Sequence, residues 1–242
     1  MATVHPDMQV LIDAGKAAGE DSSDGMAVHD GLIPTADNQL AVRAYHPAGA
    51  NGPRPCVTYV HGSGFLVGDL SSSDSIAWGY AQGTGAVVIS PNYRKTPEHS
   101  YPAAFNDIYG VLEYVAGHAG QFGINAGRIA MAETPTLTTA GTRKYSQLYL
   151  ANDLDTVDLC ARPVKATDYT NLPSAWVPSA EIDPIRDDGR VCAANLALAG
   201  NHVTYREARG MIHGFLRARF TGDAARAEFD AICGFLKHHL GD

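Results

Sequence analysis

The segment Cys56-Val57-Thr58-Tyr59-Val60 is a run of strand-forming residues with no charge and no turn residue inside it. It ends at the glycine-bearing turn His61-Gly62-Ser63-Gly64. β-branched and aromatic side chains suit a pleated surface, and a continuous run of them suits a strand covered on both faces. The pattern recurs at Ala86-Val87-Val88-Ile89-Ser90, which stops at Pro91, and at Arg128-Ile129-Ala130-Met131-Ala132, which stops at Glu133. Leu40–Tyr45, Ala175–Ala180 and Val203–Glu207 read as further strands. Helical spacing occupies Ala103–His118, Asp188–Ala199 and Ala224–Leu240, and a short amphipathic helix is expected at Met8–Ala18. Strands that alternate with helices are joined by crossovers. The expectation is therefore an α/β fold, a mostly parallel sheet with helices on both faces.

A chain of 242 residues fits one such domain. Within it, residues 1–35 read as an N-terminal cap-like segment and residues 133–160 as an atypical, shortened one. The formal net charge of -8 argues against nucleic acid and anionic membrane surfaces as partners. No run reaches transmembrane length, and the first residues lack the basic and apolar regions of a signal peptide, so a cytoplasmic location is expected. The 4 cysteines are far apart and form no Cys-x-x-Cys pair, which argues against a zinc site. Cys56 and Cys233 lie in apolar stretches and read as buried thiols, whereas Cys160 lies in a polar one.

Four landmarks then appear in a fixed order: His61-Gly62-Ser63-Gly64-Phe65, Tyr93-Arg94-Lys95-Thr96-Pro97-Glu98-His99, Glu181-Ile182-Asp183-Pro184-Ile185-Arg186-Asp187 and Met211-Ile212-His213-Gly214-Phe215. Together they resemble an α/β-hydrolase of the hormone-sensitive-lipase-like esterase branch, over most of the chain from about residue 35 onward. That resemblance implies hydrolysis of small acyl esters. A glycine-rich turn at a strand end lets backbone N–H groups face a developing oxyanion, and the resemblance assigns this role to Ser63 and Gly64. His61 and Gly62 would support the loop, with His61 ordering it. His213 would act as general base and Asp183 as the carboxylate that orients it. The proline-bearing loop after Tyr93 reads as a structural brace, with an internal ion pair between Arg94 and Glu98. This chemistry needs no metal and no organic cofactor. The partner implied is a small-molecule ester or ligand, and a homodimer stays open.

The nucleophile is where the sequence departs from the family. A Gly-x-Ser-x-Gly elbow should follow the third strand, because glycine relieves the crowding of a strained turn that exposes the serine. Aligning Ala130-Met131-Ala132 with that strand places Glu133 at the first glycine, Pro135 at the serine and Leu137 at the last glycine. Thr134, Thr136, Thr138 and Thr139 carry hydroxyls at displaced positions. The interval from Pro135 to Asp183 is also much shorter than the family's, so one central strand and part of the cap are expected to be missing or replaced. Neighbouring strands lie about 4.8 Å apart, so a lost strand would draw the Asp183 loop inward unless Lys144–Leu150 supplied a replacement. Two functional readings follow: an ester hydrolase-like protein with weak or lost activity, or a non-catalytic pseudo-esterase that binds a small molecule.

Overall fold

The computed structural model describes residues 25–49, 52–134, 145–151, 153 and 158–241. Seven strands and four longer helices order the chain as β1 (Met26–Pro34), β2 (Gln39–Pro47), β3 (Arg54–His61), α1 (Asp74–Thr84), β4 (Val87–Pro91), α2 (Ala103–Gly117), β5 (Ile124–Thr134), β6 (Ala175–Ile182), α3 (Arg186–Leu198), β7 (Val203–Ile212) and α4 (Asp223–Leu240). The helix expected at Met8–Ala18 lies outside the described residues.

The first five strands form one sheet in the order β1-β2-β4-β3-β5. β1 and β2 pair antiparallel, as do β2 and β4, whereas β3 runs parallel to both β4 and β5. β6 and β7 form a second, parallel pair, and no strand joins it to β5 among the described residues. Residues 145–149 make a helical turn. The segment Lys144–Leu150 is thus not the replacement strand that its sequence suggested.

The period-two geometry of strands explains how the first sheet is covered. Val57 and Tyr59 of β3, Val88 of β4 and Ala132 of β5 share one face and pack with Ile76, Ala77 and Tyr80 of α1 and Phe229, Ile232 and Leu236 of α4. Cys56, Val87 and Ile89 point the other way, against Val111 and Val115 of α2. Each side chain removed from water in this way contributes roughly 1.5–3 kcal/mol. A third cluster joins Val60, Tyr93 and Ala104 to Tyr149 and Leu150 at the end of β3.

Two elements were not read from the sequence. β1 falls inside the stretch taken for a cap-like segment. Apart from Ile33 its residues are largely exposed, so an edge strand of this kind carries no core-facing alternation. Helix α1 holds Gly79 and Gly83, poor helix formers. Both are close-packing positions against α4: a Cβ on Gly83 would stand 2.7 Å from Cys233 Sγ, and one on Gly79 would stand 3.0 Å from Phe229 Cζ. The helix stops at Gly85, whose φ of 72° is left-handed and whose N–H reaches Ala81 O.

The brace beside the site differs from the expected one. Arg94 pairs with Asp107 of α2, not with Glu98, which is exposed. Asp107 is 0% exposed and accepts hydrogen bonds from the Arg94 backbone N–H (2.8 Å), Nε (3.0 Å) and Nη2 (2.8 Å). Asp37 adds a further contact to Nη2 at 3.2 Å. Removing Asp107 leaves the part-exposed Arg94 with only its Asp37 contact among the described residues and forfeits several hydrogen bonds to a charged group. Asp107→Ala is therefore expected to cost about 3 kcal/mol, read as a lowered urea midpoint at pH 7.

Candidate active site

Asp183 and His213 directly follow Ile182 and Ile212, which are register partners at the ends of β6 and β7. Two adjacent parallel strands thus deliver both side chains to the same sheet end. Asp183 Oδ2 meets His213 Nδ1 at 2.5 Å, and Asp183 Oδ1 accepts the Ile185 N–H at 3.0 Å. The second bond fixes the carboxylate plane while the first fixes the ring. His213 is 7% exposed, and its Nε2 is buried with no hydrogen-bond partner among the described residues. Burial holds the His213 pKa below the ordinary histidine value, against the opposing pull of Asp183. The imidazole is therefore neutral at neutral pH, with one nitrogen committed and the other open.

The end of β3 forms a tight turn. Gly64 has φ 59° and Phe65 has φ 63°, two successive left-handed residues. For phenylalanine this conformation is strained, and its surroundings hold it there. The Phe65 ring stacks on Tyr149 (4.0 Å, 12°) and lies tilted against Tyr93 (6.0 Å), while its carbonyl accepts the Thr96 N–H at 2.9 Å. The amides of Ser63 and Gly64 meet no acceptor among the described residues. Gly64 has its own reason to be glycine besides φ. A Cβ there would stand 2.5 Å from Cδ2 of Tyr145, whose ring covers this residue.

Beneath the turn lies a buried polar knot. His61 is 2% exposed and stacks on Tyr93 (4.4 Å, 19°). The Tyr93 hydroxyl donates to the His61 carbonyl at 2.6 Å and receives Ser63 Oγ–H at 2.8 Å. Gly68 packs closely on the His61 ring, where a Cβ would stand 3.1 Å from Cε1. Lys95 Nζ donates to Asn92 Oδ1 and to Tyr93 O, both at 2.8 Å, and burial draws its pKa down to about 8. Burial first, then the positive charges of Lys95 and Arg217, lowers the His61 pKa to about 3. His61 is thus a neutral, buried ring.

The expected residues therefore divide into two groups: Asp183 and His213 on the second sheet, and His61, Gly62, Ser63 and Gly64 on the first. The side chains of Glu133 and Thr134 are not described, and Pro135, Thr136, Leu137, Thr138 and Thr139 lie outside the described residues. Cys56 and Cys233 are buried, Cys160 is exposed, and none of the cysteines is in a disulfide.

A family profile described as alpha/beta hydrolase fold matches residues 57–132 and 130–217. The chain belongs to the α/β-hydrolase fold family. Among curated proteins, an esterase of Mycobacterium tuberculosis, LipI, is 30% identical over 79% of this chain and 75% of its own length. The carboxylesterase NlhH of the same organism is 28% identical over 81% of this chain and 76% of its own. An esterase structure from Pyrobaculum calidifontis superposes with a TM-score of 0.89 at 25% identity, covering 98% of this chain and 95% of that one. The α/β-hydrolase fold is thus shown both by the family profile and by the structural likeness. No described helix is long and apolar enough to cross a membrane.

The Tyr93 hydroxyl and the Tyr145 ring are the site components that sequence reading did not single out. Tyr93 stood in a landmark but was assigned only to a structural loop. Nothing in the sequence marks Tyr145 as a neighbour of Gly64, because that contact is tertiary.

His61 and His213, the two histidines near the site with lowered pKa values, contribute to the acid response. An unfolded histidine takes a proton near pH 6.5, whereas folded His61 does so only near pH 3 and folded His213 below its ordinary value. The unfolded chain therefore binds more protons as pH falls below 6.5, and folding stability falls with it. Urea midpoints are expected to drop between pH 7 and pH 5, with a shallower slope in His61→Gln and in His213→Gln.

Proposed function

We propose that this chain is a carboxylic ester hydrolase-like protein acting on small acyl esters, with turnover held low because Pro135 stands where the serine belongs. The observation that carries the reading is the 2.5 Å contact of His213 Nδ1 with Asp183 Oδ2, together with a buried Nε2 left without a partner. A histidine so held is in the right tautomer to take a proton at Nε2, and the carboxylate stabilises the imidazolium that results. The free amides of Ser63 and Gly64 are suited to an oxyanion.

Proline has no hydroxyl, so attack falls to a water activated by His213 or to one of the displaced threonines. In the water route, the water oxygen bonds to the acyl carbon as its proton passes to His213 Nε2. The tetrahedral oxyanion then collapses, and His213 returns the proton to the departing alkoxide. A site that keeps its base and oxyanion donors but lacks the serine retains roughly 10³–10⁴ over water and loses on the order of 10⁶ in turnover. The family profile matches in two pieces that meet at residues 130–132, immediately before Glu133, which supports locating the departure there.

One observation favours the second reading, a non-catalytic pseudo-esterase that binds a small molecule. The Tyr145 ring rests on Gly64, one of the two residues whose amides would serve as oxyanion donors.

Hydrolysis of p-nitrophenyl acetate, measured beside His213→Ala and a mock purification, separates the two. Slow turnover in the parent that drops to background in His213→Ala is expected. Equal, background-level rates in both would leave the binding reading in place of the hydrolytic one.

A further inference from the structure

Beside the oxyanion turn lies a cavity of about 200 Å³. Its lining includes Gly64, Phe65, Tyr145, Ser146, Tyr149 and Arg162. This is smaller than the roughly 300–1,000 Å³ of a pocket that encloses a whole drug-sized ligand, and fits one substituted ring better than a long chain. The walls are aromatic: Phe65 and Tyr149 stack in parallel, and Tyr101 buttresses Tyr149 edge-on at 5.6 Å.

Arg162 is the one cationic residue of that lining. Its guanidinium has no hydrogen bond and no salt bridge among the described residues. The nearby carboxylate of Asp158 is engaged elsewhere, by the Tyr101 hydroxyl and the Cys160 N–H. The Arg162 backbone, in contrast, is pinned. Its N–H donates to Asp158 O at 3.0 Å, its carbonyl accepts the Lys165 N–H at 3.0 Å, and the adjoining Pro163 carbonyl accepts the Tyr169 hydroxyl at 2.7 Å. A planar guanidinium carried on an anchored backbone and without a counter-charge among the described residues suits a planar carboxylate, which it can bind through two parallel N–H donors. In a chain of net charge -8, an unpaired arginine in an aromatic recess is a local exception to the overall field.

We infer that this cavity is a subsite for an aromatic carboxylate, with the ring against Phe65 and Tyr149 and the carboxylate on Arg162. The substrate class it selects is an ester that carries a carboxylated aryl group. That assignment to a substrate rests on the ester-hydrolase reading, through Gly64, which belongs to both the oxyanion turn and the cavity wall. Binding to the subsite is independent of turnover, and the test uses binding.

Calorimetric titration of benzoate and of benzamide into the full chain, into Arg162→Gln and into His213→Ala decides the matter. The probes differ in charge but share a ring. Benzoate is expected to bind the parent about tenfold more tightly than benzamide, the scale of a hydrogen bond to a charged group. The preference should vanish in Arg162→Gln, with its urea midpoint unchanged, and persist in His213→Ala. Equal affinity for the two probes, binding of neither, or a preference that survives Arg162→Gln would overturn the subsite. Benzoate bound in a chain that shows no ester hydrolysis would leave the subsite standing and overturn only the catalytic reading.

Discussion

The pairing of Ile182 with Ile212 is the contact on which the site depends. A strand lost between β5 and β6 would displace whatever β6 carries by about the 4.8 Å that separates neighbouring strands. The acid and the histidine escape that displacement relative to each other, because both ride on the β6–β7 pair. Any shift of that pair moves Asp183 and His213 together. What it does affect is their placement against the Gly64–Phe65 turn, which follows β3 of the other sheet.

Helix α4 and the segment before it connect the two halves. Phe229 packs on Tyr80 (4.9 Å) beneath the first sheet, and Phe235 on Trp176 (5.5 Å) of β6. Arg128 of β5 hydrogen-bonds the carbonyls of Leu240 and Gly241 at the helix end. Arg217, four residues beyond His213, donates to Ser72 O at 2.9 Å just ahead of α1. These contacts tie β6 and β7 to the first sheet, with no strand ladder between the two sheets among the described residues. Gly79 and Gly83 allow α4 its close approach, which is why α1 tolerates residues that weaken a helix in isolation.

The Gly64–Phe65 turn is supported in a different way. A left-handed phenylalanine is unfavourable by itself, and Phe65 is kept there by two aromatic neighbours and by the bond from Thr96 to its carbonyl. The same stack builds the wall of the cavity that contains Arg162. Turn geometry and pocket shape are therefore coupled: Tyr149 fixes both.

Much of this was legible in the chain. Val57, Val88 and Ala132 announce strands by composition, and Gly62, Gly64 and Gly214 mark the turns around the functional residues. The edge strand β1 was hidden because its side chains face solvent, and α1 because its glycines answer to a distant helix. The partner of Arg94 was misread for a related reason. Glu98 is near in sequence, but Asp107 is the carboxylate that helix α2 brings to it.

The sequence by itself determined the fold class and the order of the landmarks, since these follow from local propensity, period and motif. It also determined that Pro135 brings no nucleophile. Only the tertiary structure decided that Asp183 and His213 meet, that Tyr145 covers Gly64, and that Arg162 faces an aromatic recess. Each of these is a contact between segments far apart in the chain. Its distance is set by strand register and helix packing, neither of which is encoded in any single stretch of residues.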